Sequence, residues 1–422
     1  MAVTVVLGTQ WGDEGKGKAI DFLAGKFDFV ARFNGGNNAG HTVINSFGTF
    51  RIHLVPSGIF YPHTRCLIGG GVVIDPAVLI QELGDLEAAG VHVGKRLSIS
   101  PRAHLIMPYH RILDGLYEDA KGKGAIGTTR RGIGPAFADK VSYNGIRVGD
   151  LADPEVFEDK LRAQLAVKNK LIVALGGAPI DFKETYTSYL GYYEMIKKFV
   201  AELAPIVHQG LKKNKFLLEQ AMGTFLDPDW GTYPFVTAST TLASAATGGL
   251  GIPPREITHV LGVTKAYTTR VGAGPMPTEI VNPQERSIRD ALTEVAATTG
   301  RTRRAGWLDL ELVRSAAQLS GIDGLFVTKL DVLSQFETIQ VGVGYQWNGK
   351  RARYFDIPPY RLRDVHPIYR QLRGWQKDIR EVRRFADLPR QAQRYIEFIE
   401  EQTDVPVHWI SVGPERQATI KR

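Results

Sequence analysis

A chain of 422 residues can bury a large core, and no stretch in it reaches the roughly 18 apolar residues of a membrane span, so a soluble globular protein is expected, with no membrane partner. The net charge of +8, from 52 basic against 44 acidic residues, is a modest excess concentrated at 301–304 and 351–394; small polyanionic substrates suit the first cluster and a solvated helical face the second, and no recognised nucleic-acid module is present. With Cys66 as the only cysteine, an intramolecular disulfide and a Cys-based zinc cage are excluded, and a reducing, cytoplasmic location is expected.

The β-branched run Val3 to Leu7 predicts a buried strand, and it leads into GlyThrGlnTrpGlyAspGluGlyLysGlyLys, residues 8–18. Glycines there let backbone N–H groups approach an anion, and the apolar positions Ala19, Ile20, Phe22 and Leu23 predict a helix whose positive end faces it. The stretch resembles a phosphate-binding P-loop but departs from the pattern GxxxxGK[ST], with Gln10 and Gly17 where glycine and a hydroxyl are required. Without that hydroxyl, Asp13 becomes the candidate metal ligand or base.

A second strand, Phe29 to Phe33, delivers the chain into the small-residue run 34–42, which is suited to wrapping a ligand and holds His41. Cys66, before GlyGlyGly, reads as a packed strand residue. Asp75 and Pro76 predict a capped helix stopping at Gly90. A polar glycine-rich loop fills 121–135; residues 151–220 read as mainly helical, from Asp153 and Pro154 to Gly176 and Gly177 and again over about 190–210. Loops rich in Gly, Thr and Ser return over 221–275, and a helix is expected from Asp309 to Gly321, a strand at Gly324 to Val327 and β structure near 337–347. Arginine-rich helices should follow, and the strand HisTrpIleSerVal closes on Gly413. Functional-looking loops from residue 8 to 413 argue for one large α/β catalytic domain over 1–422, with helical insertions at about 101–220 and an arginine-rich helical part at about 351–404. Its site should lie in loops at the ends of a large, mostly parallel central sheet flanked by helices, in the manner of P-loop NTPases.

ThrLysLeuAsp, residues 328–331, adds a base-recognition element, because one carboxylate can accept both the N1–H and N2–H₂ of guanine. Left without those donors, a buried Asp331 would discriminate against adenine by roughly 10⁴-fold. The stem of Lys329 could lie along the base, so GTP is favoured over ATP. Arg301, Arg303 and Arg304, next to Thr298 and Thr299, form a cluster of guanidinium forks suited to carboxylate or phosphate.

Together, TrpGlyAspGluGlyLysGlyLys at 11–18, GlyGlyAsnAsnAlaGlyHisThr at 35–42, ArgGlyIleGlyPro at 131–135, GlyThrTyrPro at 231–234, ThrThrGlyArg at 298–301, ThrLysLeuAsp and SerValGly at 411–413 resemble, in order and nearly end to end, the signatures of the adenylosuccinate synthetase family. The resemblance implies a homodimeric ligase in which GTP phosphorylates the 6-oxygen of IMP and L-aspartate then displaces the phosphate. It implies Asp13 as base and Mg²⁺ ligand with the backbone of Gly40, His41 as acid, and Lys16 as a catalytic phosphate contact. The implied GTP site comprises Gly12, Asp13, Glu14, Gly15, Lys16, Gly17, Lys18, Gly40, His41, Thr42, Arg303, Lys329, Leu330, Asp331, Ser411, Val412 and Gly413. For IMP the resemblance implies Asp13, Lys16, Asn38, His41, Thr129, Thr237 and Arg301, and for aspartate Thr298, Thr299, Gly300, Arg301, Thr302 and Arg303.

Departures from the family pattern fall on the monophosphate side: Asn34 and Met222 stand where glutamine is usual, Arg130 where glycine is, and Tyr143 where an arginine reaches across the dimer to the IMP phosphate. Losing that contact should cost about 2–3 kcal/mol. Arg130, beside Thr129, is a candidate to restore it from within the subunit. Two readings stand against IMP ligation: a paralogue joining aspartate to another purine nucleotide, and a non-catalytic GTP-binding regulator, which would need neither Asp13 nor His41.

Overall fold

The computed structural model describes residues 2–294 and 302–422. Nine strands make the central sheet: β1 (Val3–Gly8), β2 (Phe29–Arg32), β3 (Arg65–Ile68), β4 (Leu97–Ile99), β5 (Phe216–Glu219), β6 (Ile257–Lys265), β7 (Gly324–Thr328), β8 (Val407–Ser411) and β9 (Thr419–Lys421). Their order is β9-β8-β7-β6-β1-β5-β2-β3-β4, and every pairing is parallel except β8 with β9 at the edge. Parallel strands need both faces covered, and β1 shows how its sequence meets that demand. Val3, Val5 and Leu7 pack into one core with Phe216, Leu218 and Leu325. Val6 points to the other, with Ile20, Leu23, Val30 and Leu217. The run of apolar residues is continuous because neither side meets water. Cys66 is fully buried in β3, where burial pushes its thiol far above the usual range, so it packs rather than reacts.

Helix α1 (Lys16–Ala24) follows β1 directly. Asp75 caps α2 (Pro76–Ala88) by accepting from the N–H groups of Ala77 and Val78, with Pro76 at the first helical position, and Gly90 beyond it has φ +79°. Between β4 and β5 the chain is mainly helical: α3 (Pro108–Ala120), α4 (Ile133–Val141), α5 (Pro154–Ala174), α6 (Phe182–Ile196) and α7 (Leu203–Gly210). The periodic run over 190–210 is two helices, since α6 ends at Ile196 and α7 begins at Leu203.

The arginine-rich stretch departs from expectation. Residues 351–389 hold the end of a short strand, Lys350–Ala352, several 3-10 turns and a strand, His366–Arg373, paired antiparallel with Thr338–Trp347; only Arg390–Thr403 is α-helical. Pro358, Pro359, Pro367 and Gly374 prevent a continuous helix, and the charges are spent locally, as in Arg380–Asp378, Arg384–Asp387 and Arg394–Glu401. Among the described residues no helix is long and apolar enough to cross a membrane.

Candidate active site

The loop after β1 is built around a buried carboxylate. Glu14, fully buried, accepts from the N–H groups of Gln10 (3.0 Å) and Gly12 (2.9 Å) and pairs with Lys16 Nζ at 2.7 Å. Gly8 must be glycine because a Cβ there would sit 2.2 Å from that carboxylate. Gly12 and Gly15 have φ +88°, and Asp13 between them is itself left-handed at φ +58°, so the turn holds the Asp13 side chain at the cavity wall. Gly15 caps α1 with no side chain over the helix end. The missing P-loop hydroxyl has a packing cause: a Cβ on Gly17 would lie 2.8 Å from the Cβ of His41, which occupies that space.

His41 opens the hairpin His41–Asn45/Gly48–Ile52, and its Nδ1 is hydrogen-bonded to Glu219 at the end of β5. Glu219 is fully buried and also accepts from the N–H and Oγ of Ser57, both at 2.8 Å, with Arg32 Nη1 at 3.5 Å. Burial opposes its ionisation, but the His41 and Arg32 charges and these donors win and hold the carboxyl at about 2. For His41, burial lowers the pKa and Glu219 works against it. Its Nε2 is buried without a partner, while the residue lines the cavity. Sequence reasoning missed Glu219, although a carboxylate closing the apolar strand PheLeuLeuGlu was a signal that something there must be answered.

The cavity, about 520 Å³, is walled by Gly12, Asp13, Gly15, Lys16, Gly17 and Lys18 from the first loop, by Asn38, Gly40, His41 and Thr42 from the second, and by Thr129, Met222, Arg303, Lys329, Ser411 and Gly413. Asn38 Oδ1 is buried and unpartnered. Asp13 is ion-paired with Arg303, joining the candidate base to the candidate aspartate residue. Lys18 is a strut rather than a loose cation: its Nζ donates to Ser411 Oγ (2.6 Å) and to the carbonyls of Gly413 (2.6 Å) and Ala418 (2.9 Å), and burial lowers its pKa to about 7. Asp331 is outside the cavity wall; its Oδ1 is buried with no partner, and burial raises its pKa.

Other expected residues sit elsewhere. Leu330 and Val412 are core side chains, leaving only their backbone for a ligand, and Thr237 is buried off the cavity wall. Thr302 is exposed and is not part of the wall; Thr298, Thr299, Gly300 and Arg301 lie outside the described residues. Arg304 is committed to Glu279 and the Gly274 carbonyl (2.7 Å), so of the arginine cluster it serves the scaffold.

The divergent positions separate as well. Asn34 spans residues 221 and 240, accepting from Ala221 N (2.8 Å) and donating to Thr240 O (2.9 Å), a scaffold role. Arg130 is half exposed, pairs with Asp119 of α3 and does not line the cavity. Tyr143 is 96% exposed. Met222, at φ +76°, is the one divergent residue on the cavity wall.

A glycine loop between a parallel strand and a helix, with a buried His–Glu pair and a carboxylate on the wall of one cavity, defines a nucleotide-dependent enzyme of the phosphoryl-transfer kind. The family model for adenylosuccinate synthetase matches residues 5–420, and the chain belongs to that family. It is 48% identical over 422 residues to the adenylosuccinate synthetase of Clostridium novyi and 49% identical over 422 residues to that of Carboxydothermus hydrogenoformans, in each case covering 100% of this chain and 99% of the relative. The solved structure of fully ligated adenylosuccinate synthetase from Plasmodium falciparum superposes with a TM-score of 0.93 at 35% identity, covering 100% of both chains. The activity is thus GTP-dependent ligation of L-aspartate to IMP, giving adenylosuccinate in purine nucleotide biosynthesis, with Mg²⁺.

Proposed function

We propose that Asp13 and His41 carry both steps of the ligation. Asp13 accepts the N1 proton of IMP, making O6 a nucleophile for the γ-phosphorus of GTP; GDP leaves and 6-phosphoryl-IMP forms. The amino group of L-aspartate then attacks C6, the C6–O6 bond breaks, and the departing phosphate takes up the proton that the amine gives up. His41, its Nδ1 held by Glu219, offers Nε2 to the 6-oxygen, and the buried Glu219 carboxylate stabilises a proton on the imidazole during transfer. One observation carries the reading: Asp13, Lys16 and His41 line one cavity, with His41 Nε2 left without a protein partner.

Ligands must displace two ion pairs. Lys16 exchanges Glu14 for the phosphates of GTP, and Arg303 exchanges Asp13 for the carboxylate of L-aspartate. Lys329, Asp331 and the 411–413 backbone serve guanine, and Asn38 and Thr129 serve IMP, with Thr237, Arg301 and the segment from Thr298 to Thr302 completing the set through their place in the family pattern. Asp13 and the Gly40 carbonyl on the cavity wall would hold Mg²⁺, and no group of three or more acidic, His or Cys side chains stands ready for a metal among the described residues. That sparse donor set suits an ion bound mostly by phosphate and water, where it neutralises charge on the transferring phosphoryl group. A homodimer would cover Tyr143 and Val141, both strongly exposed here, and sedimentation at working concentrations reports that state. A cytoplasmic setting fits the lone buried thiol.

Asp13→Asn and His41→Asn should each lower kcat by about 10²- to 10⁴-fold with KM for GTP changed far less. Near-normal turnover in either variant would remove that residue from the chemistry.

A further inference from the structure

Among the described residues, Glu294 is the one charged side chain on the cavity wall to which neither the family pattern nor the mechanism above gives a role. Its carboxylate accepts from Lys265 Nζ (3.0 Å) and from the Tyr267 hydroxyl, and its Oε1 lies 3.4 Å from Lys329 Nζ. Lys265 is 1% exposed, and Glu294 is its counter-charge at the end of β6. The lysines and the phenol keep the Glu294 carboxyl ionised against its burial, at about 2. Its backbone carbonyl accepts from the N–H of Arg303 at 2.7 Å, and the Arg303 guanidinium reaches Asp13. A carboxylate needed only to neutralise Lys265 would have no reason to open on the cavity or to hold Lys329.

Taking Lys329 as a GTP residue and Arg303 as an aspartate residue, the reading on which this rests, we propose that Glu294 is a positioning residue coupling the two subsites. A guanine that orders Lys329 fixes Glu294 against its buried anchor, and the Glu294 carbonyl then fixes the backbone of Arg303. Occupation of the GTP site thereby favours aspartate binding.

The test is a double-mutant cycle in the full chain with Lys329→Met, Glu294→Gln and both together, reading KM for GTP and for aspartate separately. Lys329→Met should raise KM for GTP and also raise KM for aspartate by about fivefold, within the usual range of coupling between sites. In the Glu294→Gln background that second effect should vanish, and Glu294→Asp, which keeps the charge, should retain part of it. If Glu294→Gln does not fold, Glu294→Asp replaces it in the cycle, with the aspartate effect reduced. An aspartate KM unmoved by Lys329→Met, or moved equally in both backgrounds, overturns the proposal. A GTP KM unmoved by Lys329→Met instead removes the assignment of Lys329, a distinguishable failure that takes the coupling with it.

Discussion

At position 17 this loop lacks the hydroxyl of the usual phosphate-binding turn because there is no room for a Cβ. His41 fills the space a Cβ would need, so a hydroxyl there costs packing before it can serve a metal. Gly17→Ser should therefore destabilise the protein by about 1–3 kcal/mol and lower kcat by displacing His41, with no gain in Mg²⁺ affinity. A variant as stable and active as the parent in thermal unfolding and turnover would contradict this account of the glycine. Asp13 and His41 were legible because they lie in loops whose composition has no packing use. Glu219 and Glu294 were not, because their meaning depends on partners 178 residues away for the first and 29 and 35 away for Lys265 and Lys329. The pairing of Arg130 with Asp119 was hidden for the same reason: sequence proximity to Thr129 says nothing of a carboxylate on the preceding helix.

Local chemistry makes the helices readable at the scale of elements. Asp75 before Pro76, Asp153 before Pro154, and Asp309 with Gly321 each mark helix ends that the backbone adopts. Asp309 does more than cap the helix Leu310–Ser320. It is fully buried, accepts from Tyr345 OH at 2.8 Å, and burial raises its pKa to about 7 despite that bond. A carboxyl raised in the folded state contributes stability that is complete below its unfolded pKa near 4 and is lost as pH rises toward 7, here on the order of 4 kcal/mol. Asp309→Asn keeps the cap and the acceptor for Tyr345 without the titration, so its unfolding free energy should vary less between pH 4.5 and 7.5. Parallel pH profiles for parent and variant would contradict the assignment. The arginine-rich stretch was misread because charge alone has no period, whereas its prolines set the local structure.

For the whole molecule, the mostly parallel sheet with β1 at its centre was foreshadowed by loops of functional composition spread along the chain. The sheet gathers them, placing residues from 11 to 414 around one cavity. What could not be foreseen is which side chains of each loop face that cavity: Asn34, Leu330, Val412 and Arg304 turn into the scaffold, while Met222 lies on the wall. Of the four divergent positions, only Met222 lines the cavity, so it is the one placed to bear on the acceptor. The most direct measurement is product formation by the purified protein with Mg²⁺, GTP, L-aspartate and IMP, read by mass beside a panel of other purine monophosphates. Adenylosuccinate from IMP, with one GDP and one phosphate released for each product, is the predicted result. An inert IMP, with another nucleotide gaining aspartate or with GTP bound and no product at all, would contradict it.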